Sequence, residues 1–200
     1  NDVAHALYVF DAKLNHIATI GEPGVAGDDN AHLRDPWGVA VDNSGAIFVV
    51  ERSNYRVKKC TRSGAGGSCI PWIGEIGVDY NDFGYFGAPH RLALDSQGNL
   101  YVSHEWYSRV DIFNPAGAYL TSVGGAWGGL PSQFREPRGV AVAPNGDLYV
   151  TDIQNHRIQQ FSPGVPGWRQ MNINGFGDLQ TQSAVALTEF QGALYVGTST

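Results

Sequence analysis

The sequence predicts an all-β fold of repeated four-stranded antiparallel units, and three observations carry that expectation. The 200 residues include 26 Gly and 10 Pro, too much punctuation for long helices. Charged residues make up only 16%, which argues against a coiled coil and against charge-driven disorder. Above all, the chain repeats itself with a period of about 48 residues.

Each repeat opens with a hairpin. The four copies are DPWGVAVDNSGAIFVVE (35–51), APHRLALDSQGNLYVSH (88–104), EPRGVAVAPNGDLYVTD (136–152) and TQSAVALTEFQGALYVGT (181–198). Each has an alternating apolar run, a turn with Gly45, Gly98, Gly146 or Gly192, and a second apolar–aromatic run. An apolar period of two broken by glycine is a strand pair.

Three copies continue into another pair. Its first member is SNYRVKKC (53–60), YSRVDIF (107–113) or QNHRIQQF (154–161). Its second is SCIPWIGEIG (68–77), AYLTSVGG (118–125) or GWRQMNINGFG (167–177). Gly-rich links then lead to an apolar anchor, Leu33, Phe86, Phe134 or Leu179, ahead of the next copy. Four strands per repeat at this spacing make the blade of a β-propeller.

The ends complement each other. HALYVFDAKLNHIATIG (5–21) aligns with third and fourth strands, Phe10 falling where Phe113 and Phe161 fall, while AVALTEFQGALYVGTST (184–200) supplies a first and a second. The expectation is one domain over 1–200. Its blades lie at about 35–77, 88–125 and 136–177, and a composite fourth joins 181–200 to 1–21. The alternative is an in-phase slice of a larger, six-bladed propeller. A chain opening at Asn1 without a signal-peptide pattern reads as a processed mature protein or a fragment.

EPRGVAVAPNGDLYVTDIQNHRIQQF (136–161) closely resembles the NHL repeat, and the resemblance extends over the chain in consecutive copies. In that pattern an Asp ends the second strand and an Arg begins the third. The resemblance implies ion pairs Glu51–Arg56 and Asp152–Arg157 within their blades. The composite blade has Thr198 and Ala6 instead, losing both partners together. The 88–125 blade keeps Arg109 but puts His104 in the acidic place with Glu105 after it, and whether Glu105 substitutes is open. His156 alternates with Tyr55 and Ser108, which marks a structural position.

Cys60 and Cys69 lie nine residues apart around a hairpin and are expected to form a disulfide. A redox or metal pair would need closer spacing or further ligands. A structural disulfide places the protein outside the reducing cytosol: secreted, periplasmic or cell-surface.

Several function classes lack support. Net charge of −6 lacks the basic footprint of nucleic-acid binding. The longest apolar run, about five residues, spans no membrane. No nucleophile elbow, P-loop or Rossmann fingerprint occurs. VDNSG, LDSQG and APNGD read as hairpin turns, not calcium loops. His5, His16, His32 and His104 show no chelating spacing.

A propeller implies that the residue after each blade's Pro lies near one channel mouth: Trp37, His90, Arg138 and Ser183. APHRLAL, around His90, is also similar to the zinc-binding context of the peptidylglycine-amidating lyases. That site needs three imidazoles, and Trp37, Arg138 and Ser183 do not complete one. Tyr80, Phe83, Tyr85 and Trp127 in the links are candidates for contact with a protein or carbohydrate, the alternative being packing between blades.

The expected function is therefore a non-catalytic extracellular propeller that binds a partner or self-associates, with no catalytic residue, metal or cofactor. The alternative is a metal-dependent lyase or hydrolase resembling the amidating lyases. An RNA-binding propeller is the third reading.

Overall fold

The computed structural model describes residues 4–74, 86–163, 168–170, 183–190 and 193–199. The chain divides into two compact units, Asn1–Pro89 and His90–Thr200, and both are built from antiparallel sheet.

In the first unit β1 (Leu7–Phe10) pairs with β2 (His16–Ile20). Strands β3 (Pro36–Val41), β4 (Ile47–Glu51), β5 (Arg56–Ser63) and β6 (Gly66–Gly74) form a four-stranded sheet in sequence order. The period of two puts Ile47, Val49 and Cys60 on one face, where they bury against Ile20, Leu33 and Cys69. Cys60 lies directly opposite Cys69 in the β5–β6 ladder, and the two form a disulfide.

The second unit begins one residue into β7 (Pro89–Leu94), which leads through β8 (Leu100–His104), β9 (Arg109–Phe113) and β10 (Tyr119–Gly124). The next sheet is β11 (Pro137–Val142), β12 (Leu148–Asp152), β13 (Arg157–Phe161) and β14 (Trp168–Gln170). β15 (Ser183–Phe190) pairs with β16 (Ala193–Ser199). A core of Val110, Phe134, Val140, Leu148 and Val150 fills the unit. Each four-stranded sheet is thus one expected blade. Among the described residues β1–β2 and β15–β16 are two-stranded sheets, and their union into a composite blade stays an expectation.

Local chemistry repeats with the blades. The hairpin carboxylates Asp42 and Asp95 each accept two backbone N–H groups of their own turns, at 2.8–2.9 Å, the Asx device expected of such turns. The second and third strands of two blades are joined by one turn of 3-10 helix, Arg52–Asn54 and Ile153–Asn155. Tyr55, Ser108 and His156 follow with φ of 52, 51 and 51°. What the three residues share is the left-handed backbone of this position. Two links close alike, through bridges between Ala26 and Leu33 and between Trp127 and Phe134, each seating a fully buried anchor.

Candidate functional site

Each first strand is entered through a non-glycine residue with positive φ just before its Pro: Asp35 (50°), Ala88 (47°) and Glu136 (56°). Such a conformation costs about 1–3 kcal/mol. It sets Trp37, His90 and Arg138 at the same point of three blades.

In the first unit the Trp37 indole Nε1 donates to Asp35 Oδ1 at 2.6 Å, and the Arg52 guanidinium lies 4.9 Å from the ring centre. Ser53 Oγ donates to the other Asp35 oxygen at 2.7 Å.

The second unit carries more chemistry. His90 is buried at the start of β7, its Nε2 4.0 Å from Glu105 Oε2. The other Glu105 oxygen accepts from Arg138 Nη2 at 3.1 Å. The same Nη2 reaches Glu136 Oε2 at 3.4 Å, and the Gln154 amide donates to Glu136 Oε1. One imidazole, two carboxylates and a guanidinium thus share a partly buried cluster, with Arg138 28% and Glu105 11% exposed. Such a set can move a proton and hold an anion.

His90 and Arg138, both expected at the mouth, therefore share this cluster, and Trp37 sits at the equivalent point of its own unit. Ser183 heads β15, its side chain outside the described residues. Glu105 was missed as a partner because 33 residues separate it from Arg138 along the chain, and Glu136 was missed although only two do. The available signal was the carboxylate two residues before Trp37 and before Arg138, Asp35 and Glu136.

The ion pairs have a different duty. Arg56 Nε donates to Glu51, and Arg157 Nε to Asp152 Oδ2 at 2.7 Å, all four side chains being buried. Arg157 also donates to the carbonyls of Gly129, Leu130 and Gln133, and Arg56 to that of Asp28. Glu51 and Asp152 accept from the backbone N–H of Arg34 and Arg135. Each pair thus ties its blade to the preceding link.

In the second blade Glu105 does not take the acidic role; Asp111 does. Arg109 grips both Asp111 oxygens, at 2.9 and 3.2 Å, and His104 Nε2 lies 3.2 Å from Oδ2. The Ser122 hydroxyl donates to Oδ1. Burial pulls the His104 imidazole below its ordinary value, which the Asp111 hydrogen bond and charge only partly oppose. For Asp111, burial works upward, but His104, Ser122 and Arg109 together hold the carboxyl below its usual range.

Among the link aromatics, Tyr80, Phe83 and Tyr85 lie outside the described residues. Trp127 is 56% exposed.

Among the described residues, no three His, Cys, Asp or Glu side chains group to hold a metal ion. The cluster brings His90 alone as an imidazole, beside carboxylates already paired with a guanidinium. This donor set does not fit a catalytic zinc, and no step is derived through one.

The NHL repeat family matches residues 33–60 and 134–161, in the first and third blades. Human NHL-repeat-containing protein 4 is 33% identical over 130 residues, covering 64% of this chain and 92% of that protein. A Caenorhabditis elegans protein named as a probable peptidyl-alpha-hydroxyglycine alpha-amidating lyase is 27% identical over 191 residues, covering 87% of this chain. The chain spans only 54% of that relative. Virginiamycin B lyase of Staphylococcus aureus superposes with a TM-score of 0.63 at 14% identity, over 98% of this chain and 57% of that one, a likeness of fold alone.

These relatives correct the expected function. A non-catalytic binding or structural module rested on finding no convincing active site in the sequence. Alignment with an amidating lyase over most of the chain overturns it, and the cluster around His90 is made of residues the motif search treated singly. The hairpins, blades and matched repeats lead to one assignment: the chain belongs to the NHL-repeat family.

Proposed function

We propose that this chain acts as a lyase on a peptidyl-α-hydroxyglycine, the substrate for which its Caenorhabditis elegans relative is named. The observation that carries the reading is the approach of His90 and Glu105, 4.0 Å apart at the head of β7, with Arg138 holding the carboxylate from the other side.

The chemistry asked of the cluster is the breaking of one N–C bond. The substrate hydroxyl loses its proton as its carbon–oxygen bond becomes a carbonyl. The electron pair of the N–C bond leaves with the amide nitrogen, which takes up a proton. The products are a peptide amide and glyoxylate. Glu105 accepts the hydroxyl proton and His90 supplies one to the departing nitrogen, a pairing worth about 10²- to 10⁴-fold in rate. Arg138 keeps Glu105 aimed at His90.

The test is glyoxylate release from a synthetic peptidyl-α-hydroxyglycine. The protein should release it above the buffer rate, with His90→Ala and Glu105→Gln each slowing it by about a hundredfold or more. No release, or full activity in His90→Ala, would refute the reading. We also place the protein in an extracellular compartment, supported by the Cys60–Cys69 disulfide. No helix among the described residues is long and apolar enough to cross a membrane.

A further inference from the structure

Two blades carry the same joint at the entry to their first strand. In the first, the Asp35 carbonyl accepts from Arg52 N at 3.1 Å, which seats the 3-10 turn against the strand entry. The Asp35 carboxylate then ties the two together. One oxygen accepts from the mouth side chain, Trp37 Nε1, at 2.6 Å, and the other from Ser53 Oγ of the turn at 2.7 Å.

The third blade repeats the arrangement with different side chains. The Glu136 carbonyl accepts from Ile153 N at 3.4 Å. Glu136 Oε2 accepts from the mouth residue, Arg138 Nη2, at 3.4 Å, and Oε1 accepts from the Gln154 amide of the turn. Asp35, Trp37 and Ser53 align with Glu136, Arg138 and Gln154. What the two joints have in common is that a carboxylate, itself held by the turn, holds the mouth residue.

Only the third joint reaches the acid–base pair. The second blade has Ala88 at the aligned position, and Glu105 accepts at 3.1 Å from the same Arg138 Nη2 that reaches Glu136. One guanidinium nitrogen thus connects the joint of its own blade to the carboxylate beside His90. Arg138 is 28% exposed, and a long side chain so placed keeps one geometry only where its partners lock it.

We propose that Glu136 and Gln154 are positioning residues: they fix Arg138 and, through it, Glu105 against His90. This role rests on the lyase reading for what the aligned pair does, while the fixing of Arg138 can be measured alone.

The test uses Glu136→Ala, Glu136→Gln and Gln154→Ala. Alanine is compatible with this entry, since Ala88 has φ of 47° where Glu136 has 56°. Nitrogen NMR of the Arg138 guanidinium, identified as the signal missing from Arg138→Ala, reads the anchor directly. Its rotation should quicken by about tenfold in Glu136→Ala and by less in Gln154→Ala. With the peptidyl-α-hydroxyglycine, kcat should fall by about tenfold in Glu136→Ala and about threefold in Gln154→Ala, with KM within about twofold of wild type. Glu136→Gln keeps an acceptor oxygen for Arg138 and should lose less than Glu136→Ala. In an Arg138→Ala background neither alanine substitution should slow the reaction further.

Unaltered Arg138 rotation in Glu136→Ala overturns the anchor. So do full losses that persist in the Arg138→Ala background, or a rise in KM with kcat intact. A quickened Arg138 beside full activity overturns the positioning role and leaves the lyase reading standing. A quickened Arg138 in a protein that releases no glyoxylate sinks the lyase reading and leaves the anchor standing.

Discussion

Asp111→Asn puts the relocated ion pair of the second blade to a quantitative test. Asp111 is fully buried and Arg109 only 3% exposed. The carboxylate accepts both guanidinium contacts, the Ser122 hydroxyl and the His104 ring. Removing its charge leaves a buried arginine without compensation, a change that costs about 3–5 kcal/mol. Taking a urea slope of about 2 kcal/mol/M, the midpoint should drop by about 1.5–2.5 M. The repeat itself supplies the rescue. In the third blade the acid is Asp152, and Gln159 occupies the place of Asp111, donating to Asp152 Oδ2 at 3.0 Å. The double variant His104→Asp/Asp111→Gln therefore recreates a network the fold already uses. It should recover to within about 1 kcal/mol of wild type, far from the sum of its parts. Urea titrations followed by tryptophan fluorescence measure all five proteins: wild type, Asp111→Asn, His104→Asp, Asp111→Gln and the double variant. A loss below about 1 kcal/mol in Asp111→Asn, or a double variant as weak as the summed singles, would refute the assignment.

Opening the Cys60–Cys69 bridge as the double Ser variant should cost about 2.5 kcal/mol on the chain-entropy account of so short a loop, read from the shift in thermal midpoint. Phe134→Ala removes a fully buried anchor and should cost about 3–5 kcal/mol. Trp127→Ala, seven residues earlier on an exposed ring, should stay within about 0.5 kcal/mol; comparable losses would contradict the anchor scheme. The His104 imidazole has a folded pKa below its ordinary 6.5, so the fold favours its neutral form. Its contribution is complete above about pH 6.5 and drains away below that pH, by at most about 1.4 kcal/mol per pH unit. Asp111, depressed below 3.8, adds a second loss as pH falls further. His104→Gln should flatten the first of these slopes in urea titrations between pH 7 and 5.

The blades were legible in the sequence because every element is written three times. Alternation, glycine turns and apolar anchors recur in register, so an ambiguous strand in one copy is settled by its partners. Glu51 with Arg56 and Asp152 with Arg157 were legible for the same reason. Contacts that leave the pattern were not. The acid in the second blade moved from the end of β8 to Asp111 on β9, seven residues on. Only the pleat of paired strands brings it back to Arg109, since His104 opposes Arg109 and Asp111 lies two residues further along the same face. The tie between Glu105 and Arg138 joins two blades, where sequence spacing says little.

The repeat also serves as an internal control for function. The first and third blades show what the fold requires: a buried acid, an arginine that ties the preceding link, and a glycine two residues after the Pro. The second blade supplies the acid with Asp111, paired to Arg109, then departs at His90, Arg91, Ser103, His104 and Glu105. His104 is absorbed into the relocated ion pair, which is a structural debt of that relocation. Of the others, Glu105 accepts from the Arg138 guanidinium, Ser103 donates to the Arg138 carbonyl, and His90 lies 4.0 Å from Glu105. The grouping of His90, Glu105 and Arg138 in this one blade seam is the argument that it was shaped by a substrate.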